Sequence, residues 1–134
     1  MSRVCSDLIG RRVLIVEDDP LVVMLFEDTL TDIGCKVAGC ATRLEVGIDK
    51  ARSLSLDTAV IDINLNGQRS FPIAEALIER GIPVVFVTGY GMTSLPAPFD
   101  RAPVLTKPFR KRDLQQALLL ALDAEPHPDE GRPI

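Results

Sequence analysis

The sequence predicts an α/β fold, a doubly wound parallel sheet of five strands with helices on both faces. Three observations lead there. Short runs such as Val13–Val16 and Val84–Val87 are continuously apolar, as expected of strands covered on both faces. Segments with apolar residues at helical spacing alternate with them. Repeated strand–helix alternation requires parallel strands joined by crossover helices.

Val13–Val16 is the first strand. Asp19-Pro20 follows; Asp is a good helix N-cap and Pro suits the first helical position. Val22, Phe26, Leu30 and Ile33 make one stripe, and Gly34 stops the helix. Val37–Ala41 reads as the second strand. Thr42 is expected to cap a second helix with Leu44, Ile48 and Ala51 on one face. Ala59–Ile63 is the third strand and Asn66-Gly67 a turn. Pro72 to Arg80 is the third helix, with Ile73 and Leu77 inward and Gly81 as its stop, and Val84–Val87 is the fourth strand. Between Gly89 and Pro103 stand Gly89, Gly91, Pro96, Pro98 and Pro103. Proline inside a helix costs about 3 kcal/mol, so a short or irregular fourth helix of unusual mobility is expected. Val104–Thr106 is a short fifth strand. Asp113 to Asp123 is the last helix, with Leu114, Ala117, Leu118, Ala121 and Leu122 at helical spacing.

The 134 residues, 46% hydrophobic and 25% charged, suit one domain with a proper core. The expected division is an N-terminal extension over 1–11, the domain over 12–124 and a flexible tail over 125–134. A net charge of −4 gives no general attraction to nucleic acid or anionic membrane. No apolar run approaches the roughly 20 residues of a membrane span, and Met1–Gly10 lacks a secretory layout. Cys5, Cys35 and Cys40 lack metal-ligand spacing and read as reduced cysteines, which points to the cytoplasm. The single histidine, His127, lies in a Pro-rich ending, so chemistry needing a buried imidazole is not expected.

The strand ends carry the chemistry. In open parallel sheets, ligands bind outside the carboxyl ends of the strands. Glu17 and Asp18 follow the first strand, Asp62 closes the third, Thr88 the fourth and Lys107 the fifth. Three clustered carboxylates repel one another unless a cation lies between them. Oxygen ligands without His or Cys favour Mg2+. Lys107 balances charge and pairs with a phosphoryl oxygen, Thr88 offers a hydroxyl donor, and Asp62 is free to act as a nucleophile on phosphorus. Asp19 is read as a helix cap.

Four segments in order, Val13-Leu-Ile-Val-Glu-Asp-Asp-Pro20, Val60-Ile-Asp-Ile-Asn64, Val85-Phe-Val-Thr-Gly89 and Thr106-Lys-Pro-Phe109, resemble the receiver domains of two-component response regulators. The resemblance covers roughly Arg12 to Asp123. It implies a flavodoxin-like (βα)5 fold with strand order 2-1-3-4-5. Asp62 would be the phosphoacceptor, Asp18 the direct metal ligand and Glu17 a ligand acting mainly through water. Asn64 would offer its backbone carbonyl to the metal, Thr88 and Lys107 would bind the phosphoryl group, and Lys107-Pro108 would be a cis peptide. The implied partner is a sensor histidine kinase or a histidine phosphotransfer protein. The role is that of a bacterial signalling phosphoacceptor with slow autodephosphorylation rather than an enzyme.

One departure is informative. Most receivers carry Tyr or Phe at the place held here by Val104, and that ring swings inward when Thr moves toward the phosphoryl group. Val104 cannot do this. Phe86-Val-Thr-Gly-Tyr90-Gly91 is similar to the FAT-GUY subfamily, with Val87 in place of Ala and Tyr directly after Gly89. The stretch from Asn64-Leu-Asn-Gly67 to Ser70-Phe-Pro72 also looks like that subfamily. Its members are commonly stand-alone receivers of alphaproteobacteria, often paired with kinases of the HWE or related type. Tyr90 is therefore the candidate switch residue, together with the 89–103 segment.

The runs Leu118-Leu-Leu-Ala-Leu122 and Leu21-Val-Val-Met-Leu-Phe26 exceed one stripe. They are either broad core-facing surfaces or a face for a partner or weak homodimer, the alternative being a monomer. Two other functions compete. A Mg2+-dependent phosphatase with an Asp nucleophile, of the haloacid-dehalogenase type, wants Asp where Asn64 stands and a cap domain. A phosphorylation-independent receiver acting as an adaptor would not need the intact Asp18, Asp62, Thr88 and Lys107. No DNA-binding element fits in the remaining residues, so the output is protein contact or phosphorelay.

Overall fold

The computed structural model describes residues 7–89 and 95–124. A five-stranded parallel sheet is built from β1 (Arg12–Val16), β2 (Lys36–Ala41), β3 (Thr58–Asp62), β6 (Val84–Thr88) and β7 (Val104–Thr106). Its spatial order is β2-β1-β3-β6-β7, which in chain order of these five is 2-1-3-4-5. The intervening β4 (Asn64–Leu65) and β5 (Gln68–Arg69) form a separate antiparallel pair. The helices are α1 (Pro20–Ile33), α2 (Leu44–Ser53), α3 (Phe71–Glu79) and α4 (Lys111–Ala124). None of the described helices is long and apolar enough to cross a membrane.

Strand side chains alternate between two apolar layers, as a period of two requires. Leu14, Val16, Ala59, Ile61, Val84 and Phe86 pack with Ala51 of α2 and Ile73 and Leu77 of α3. Val13, Ile15, Val60, Val85 and Val87 pack with Phe26, Leu30 and Ile33 of α1 and Leu114 and Leu118 of α4. Both faces of the sheet are thus covered, which is why its central strands tolerate no alternation with polar residues.

The first helix begins and ends as its sequence requires. Asp19 accepts a hydrogen bond from the Leu21 N–H at 2.9 Å, with Pro20 at the first position. Gly34, at φ 108°, turns the chain left-handed and donates to the carbonyls of Leu30 and Thr31. Thr42 does not cap α2. Arg43 holds the capping position without a side-chain bond, and burial of Gly47 and Ala51 fixes where that helix packs. The described part of the segment before β7, residues 95–103, forms turns and no helix. It is anchored rather than loose, because Leu95 and Phe99 are buried in the core. Phe99 stacks on Phe71 at 5.2 Å and meets Phe86 edge-on at 5.4 Å.

The amino edge of the sheet is tied by polar contacts. The Arg12 N–H donates to Asp57 Oδ2 at 2.8 Å, and its Nε donates to the Ser55 carbonyl at 2.7 Å. Thr58 Oγ1 donates to the Pro83 carbonyl at 2.9 Å. Arg80 donates to the carbonyls of Ala51 and Leu54 at 2.6 and 2.8 Å, closing the end of α2. Leu8, ahead of the first strand, is fully buried, and the Gly10 N–H donates to the Gly34 carbonyl at 2.8 Å.

Candidate functional site

Two neighbouring strand ends deliver the acidic cluster. β1 and β3 are adjacent and in register, with Val16 opposite Ile61, so the residues that follow them emerge side by side. Glu17, Asp18 and Asp62 each offer a carboxylate oxygen, and these oxygens lie within 4.8 Å of one another. β6 is the other neighbour of β3, with Asp62 opposite Val87, which places Thr88 one residue beyond. β7 pairs Thr106 with Thr88, and the Lys107 N–H donates to the Thr88 carbonyl at 2.8 Å. The Lys107–Pro108 peptide bond is cis.

Asp62 is 7% exposed and held at both oxygens. Lys107 Nζ donates to Oδ2 at 3.0 Å, and the Asn64 N–H donates to Oδ1 at 3.0 Å. Lys107 Nζ also lies 3.1 Å from Glu17 Oε1. That second contact is an ion pair without hydrogen-bond geometry, so Glu17 Oε1 is a buried oxygen lacking a hydrogen-bond partner. Glu17 Oε2 accepts from the Asp19 N–H at 3.1 Å. Asp18 Oδ2 accepts from the Asn66 N–H at 2.9 Å. The Thr88 side chain is nearly buried.

Three carboxylates face one ammonium here, and the charges do not balance. Burial, then the Asp62 charge, push the Glu17 carboxyl up from 4.5 to about 7, against the pull of the Asp19 amide and Lys107. For Lys107, burial alone would lower the ammonium. Its hydrogen bond to Asp62 and its charge contacts with Asp62 and Glu17 outweigh that, and the net shift is upward. The donor set is suited to a hard cation. All its ligands are oxygens, its carboxylates are mutually repulsive, and one buried oxygen is orphaned.

The predicted Glu17, Asp18, Asp62 and Lys107 therefore converge, with Thr88 on the next strand end and Asn64 directly after the acceptor strand. Tyr90 lies outside the described residues. Val104 begins β7 and is 42% exposed. The sequence marks Asn66-Gly67 only as a turn. Its contact with Asp18, 48 positions earlier, has no local signal. Beside the site, Val22, Leu25, Gly89, Lys107, Pro108 and Phe109 line an apolar recess of about 460 Å3. Phe109 is stacked on Phe26 of α1 at 4.8 Å.

A five-stranded parallel sheet with an acidic cluster, a threonine and a lysine on its carboxyl edge defines a class of phosphate-handling signalling domain. The response regulator receiver domain profile matches residues 13–119. The response regulator protein TmoT of Ectopseudomonas mendocina is 26% identical over 126 residues, covering 90% of this chain and 57% of the relative. The chemotaxis protein CheY of Thermotoga maritima is 25% identical over 114 residues, covering 81% of this chain and 95% of the relative. The solution structure of SdrG from Sphingomonas melonis Fr1 aligns with a TM-score of 0.75 and 36% identity, over 91% of this chain and 99% of that one. The chain belongs to the response regulator receiver domain family. It spans little more than half of TmoT and nearly all of CheY.

Proposed function

We propose that Asp62 accepts a phosphoryl group from the phosphohistidine of a sensor histidine kinase or a histidine phosphotransfer protein, in a Mg2+-dependent reaction. The carrying observation is the Asp62 carboxylate itself, nearly buried and held between the Lys107 ammonium and the Asn64 amide, with two further carboxylates beside it. An Asp62 oxygen forms the new P–O bond as the P–N bond of phosphohistidine breaks, and the imidazole leaves with a proton. Lys107 stays with the charge on the transferred oxygens, and the Thr88 hydroxyl donates to one of them. Glu17, Asp18, Asp62 and the Asn64 carbonyl hold the metal. When bound, Mg2+ neutralises the charge that builds up on the phosphoryl group. Autodephosphorylation is slow, and the chain is a signalling phosphoacceptor rather than an enzyme.

The donor docks beside Lys107. Leu21, Met24 and Leu25 of α1 are exposed large apolar residues, Leu21 at 74%, and Leu25 lines the recess next to the site. The FAT-GUY resemblance favours a kinase of the HWE type. Leu120 of α4 is 60% exposed, and Leu21, Met24 and Leu25 of α1 are exposed too; a weak homodimer through the first and last helices would cover such residues. The small side chain at Val104 leaves the switch role to Tyr90, and the output is protein contact or phosphorelay.

Incubation with acetyl phosphate, followed by intact-protein mass spectrometry, tests the reading. One phosphoryl adduct is expected with Mg2+ and none with EDTA or in Asp62→Asn. Release of phosphate from many esters with no adduct would instead make the chain a phosphatase. Neither outcome in a folded, Mg2+-treated sample would leave a phosphorylation-independent binding module.

A further inference from the structure

The small hairpin after β3 touches both aspartates of the site through its backbone. The Asn64 N–H donates to Asp62 Oδ1 at 3.0 Å, and the Asn66 N–H donates to Asp18 Oδ2 at 2.9 Å. Asn64 and Leu65 pair with Arg69 and Gln68 across the turn. The turn residues Asn66 and Gly67 both have positive φ, 51° and 86°. Consecutive left-handed residues are what a tight two-residue hairpin turn requires, and Asn-Gly supplies them at least cost. The Asn64 side chain closes the turn, its Oδ1 accepting from the Gly67 N–H at 3.0 Å. The Asn66 side chain is exposed, and the contact with Asp18 is made by its main chain alone.

Asp18 is only partly buried and stands on a loop between β1 and α1, where its carboxylate is otherwise free to rotate. A backbone amide in a fixed turn removes that freedom without adding charge. It pins one oxygen and leaves the other to a cation. We infer that the Asn64–Arg69 hairpin is a positioning element for Mg2+: its turn presents the Asn66 amide that sets the Asp18 carboxylate for metal binding. This inference rests on the Mg2+ reading of the site given above. It concerns the backbone conformation of Asn66 rather than its side chain, which makes it separable from an ordinary polar contact.

Mg2+ titration by calorimetry on the unphosphorylated full chain tests it. Asn66→Gly keeps the left-handed turn, so its affinity should match wild type within twofold. Asn66→Val places a β-branched residue where φ is positive, a strained state, and should weaken Mg2+ by about tenfold. Asn64→Ala, which removes the acceptor for the Gly67 amide, should weaken it in the same direction. Thermal unfolding without metal identifies variants that keep the wild-type fold, and the comparison is made among those. Mg2+ binding by wild type with affinity unchanged in both Asn66→Val and Asn64→Ala overturns the positioning role alone. An equal loss in Asn66→Gly and Asn66→Val also overturns it, because the side chain would then matter. No Mg2+ binding by the wild type, at pH 8, overturns the metal reading itself.

Discussion

At Glu17, burial and charge oppose each other. The side chain is inaccessible, one oxygen has no hydrogen-bond partner, and its carboxyl is pushed up to about 7 by burial and by Asp62. The folded, metal-free protein therefore binds a proton here that the unfolded chain has released. Between 4.5 and about 7 the native state holds more protons, so stability falls as pH rises through that window. The contribution of this one group is highest below 4.5 and lowest above 7. Glu17→Gln removes the ionisation, and urea denaturation in EDTA should show a flatter pH dependence and a gain at pH 8 of about 1–3 kcal/mol. A wild-type protein whose metal-free stability rises from pH 5 to pH 8 in the same window as the variant would contradict this. The same variant loses a carboxylate from the acidic cluster, so stability and the proposed metal binding separate at this position. Asp18, Asp62, Thr88 and Lys107 were legible in the sequence because each ends or follows an apolar strand. The depth of Glu17 was not, since an acidic residue next to another looks solvated until the neighbouring strands cover it.

Elements differ in how far their sequences determine them. The first helix has a capping aspartate, a proline and a terminal glycine, and its limits follow from those residues. The second helix has no side-chain cap, so packing decides its start and the Thr42 expectation failed. The segment before β7 illustrates the converse. Its prolines predict at most a short or irregular helix, and residues 95–103 form turns alone, yet the prolines conceal the burial of Leu95 and Phe99. Local composition reports the absence of regular structure but says nothing of what a single aromatic meets across the fold. Phe99 joins Phe71 of α3 and Phe86 of β6 in one aromatic group. Truncation as Phe99→Ala should cost about 3–5 kcal/mol, read as a lower urea midpoint at unchanged slope. A loss under 1 kcal/mol would mean that this segment is not part of the cooperative core.

For the whole molecule, alternation of strands and helices was enough to predict the layers, because buried parallel strands need helices on both faces. The sheet order 2-1-3-4-5 came instead from the receiver resemblance, since alternation alone also allows other doubly wound orders. The convergence of the site follows from that topology. Mg2+ should therefore act on global stability as a ligand of the native state. At a hundredfold excess over its Kd the gain is about 2.7 kcal/mol, visible as a rise in Tm that Asp18→Asn reduces and EDTA reverses. A Tm indifferent to Mg2+ would show that the carboxylates do not bind it in the folded chain. The amino edge of the sheet has a different character. Arg12, Asp57, Thr58 and Arg80 staple it through uncharged carbonyls and one carboxylate, none of which takes part in the cluster. The unbalanced charge is thus gathered at the carboxyl edge, while the amino edge is joined mostly through neutral carbonyls, so a change of charge at Asp62 falls on the end of the sheet that these contacts do not hold.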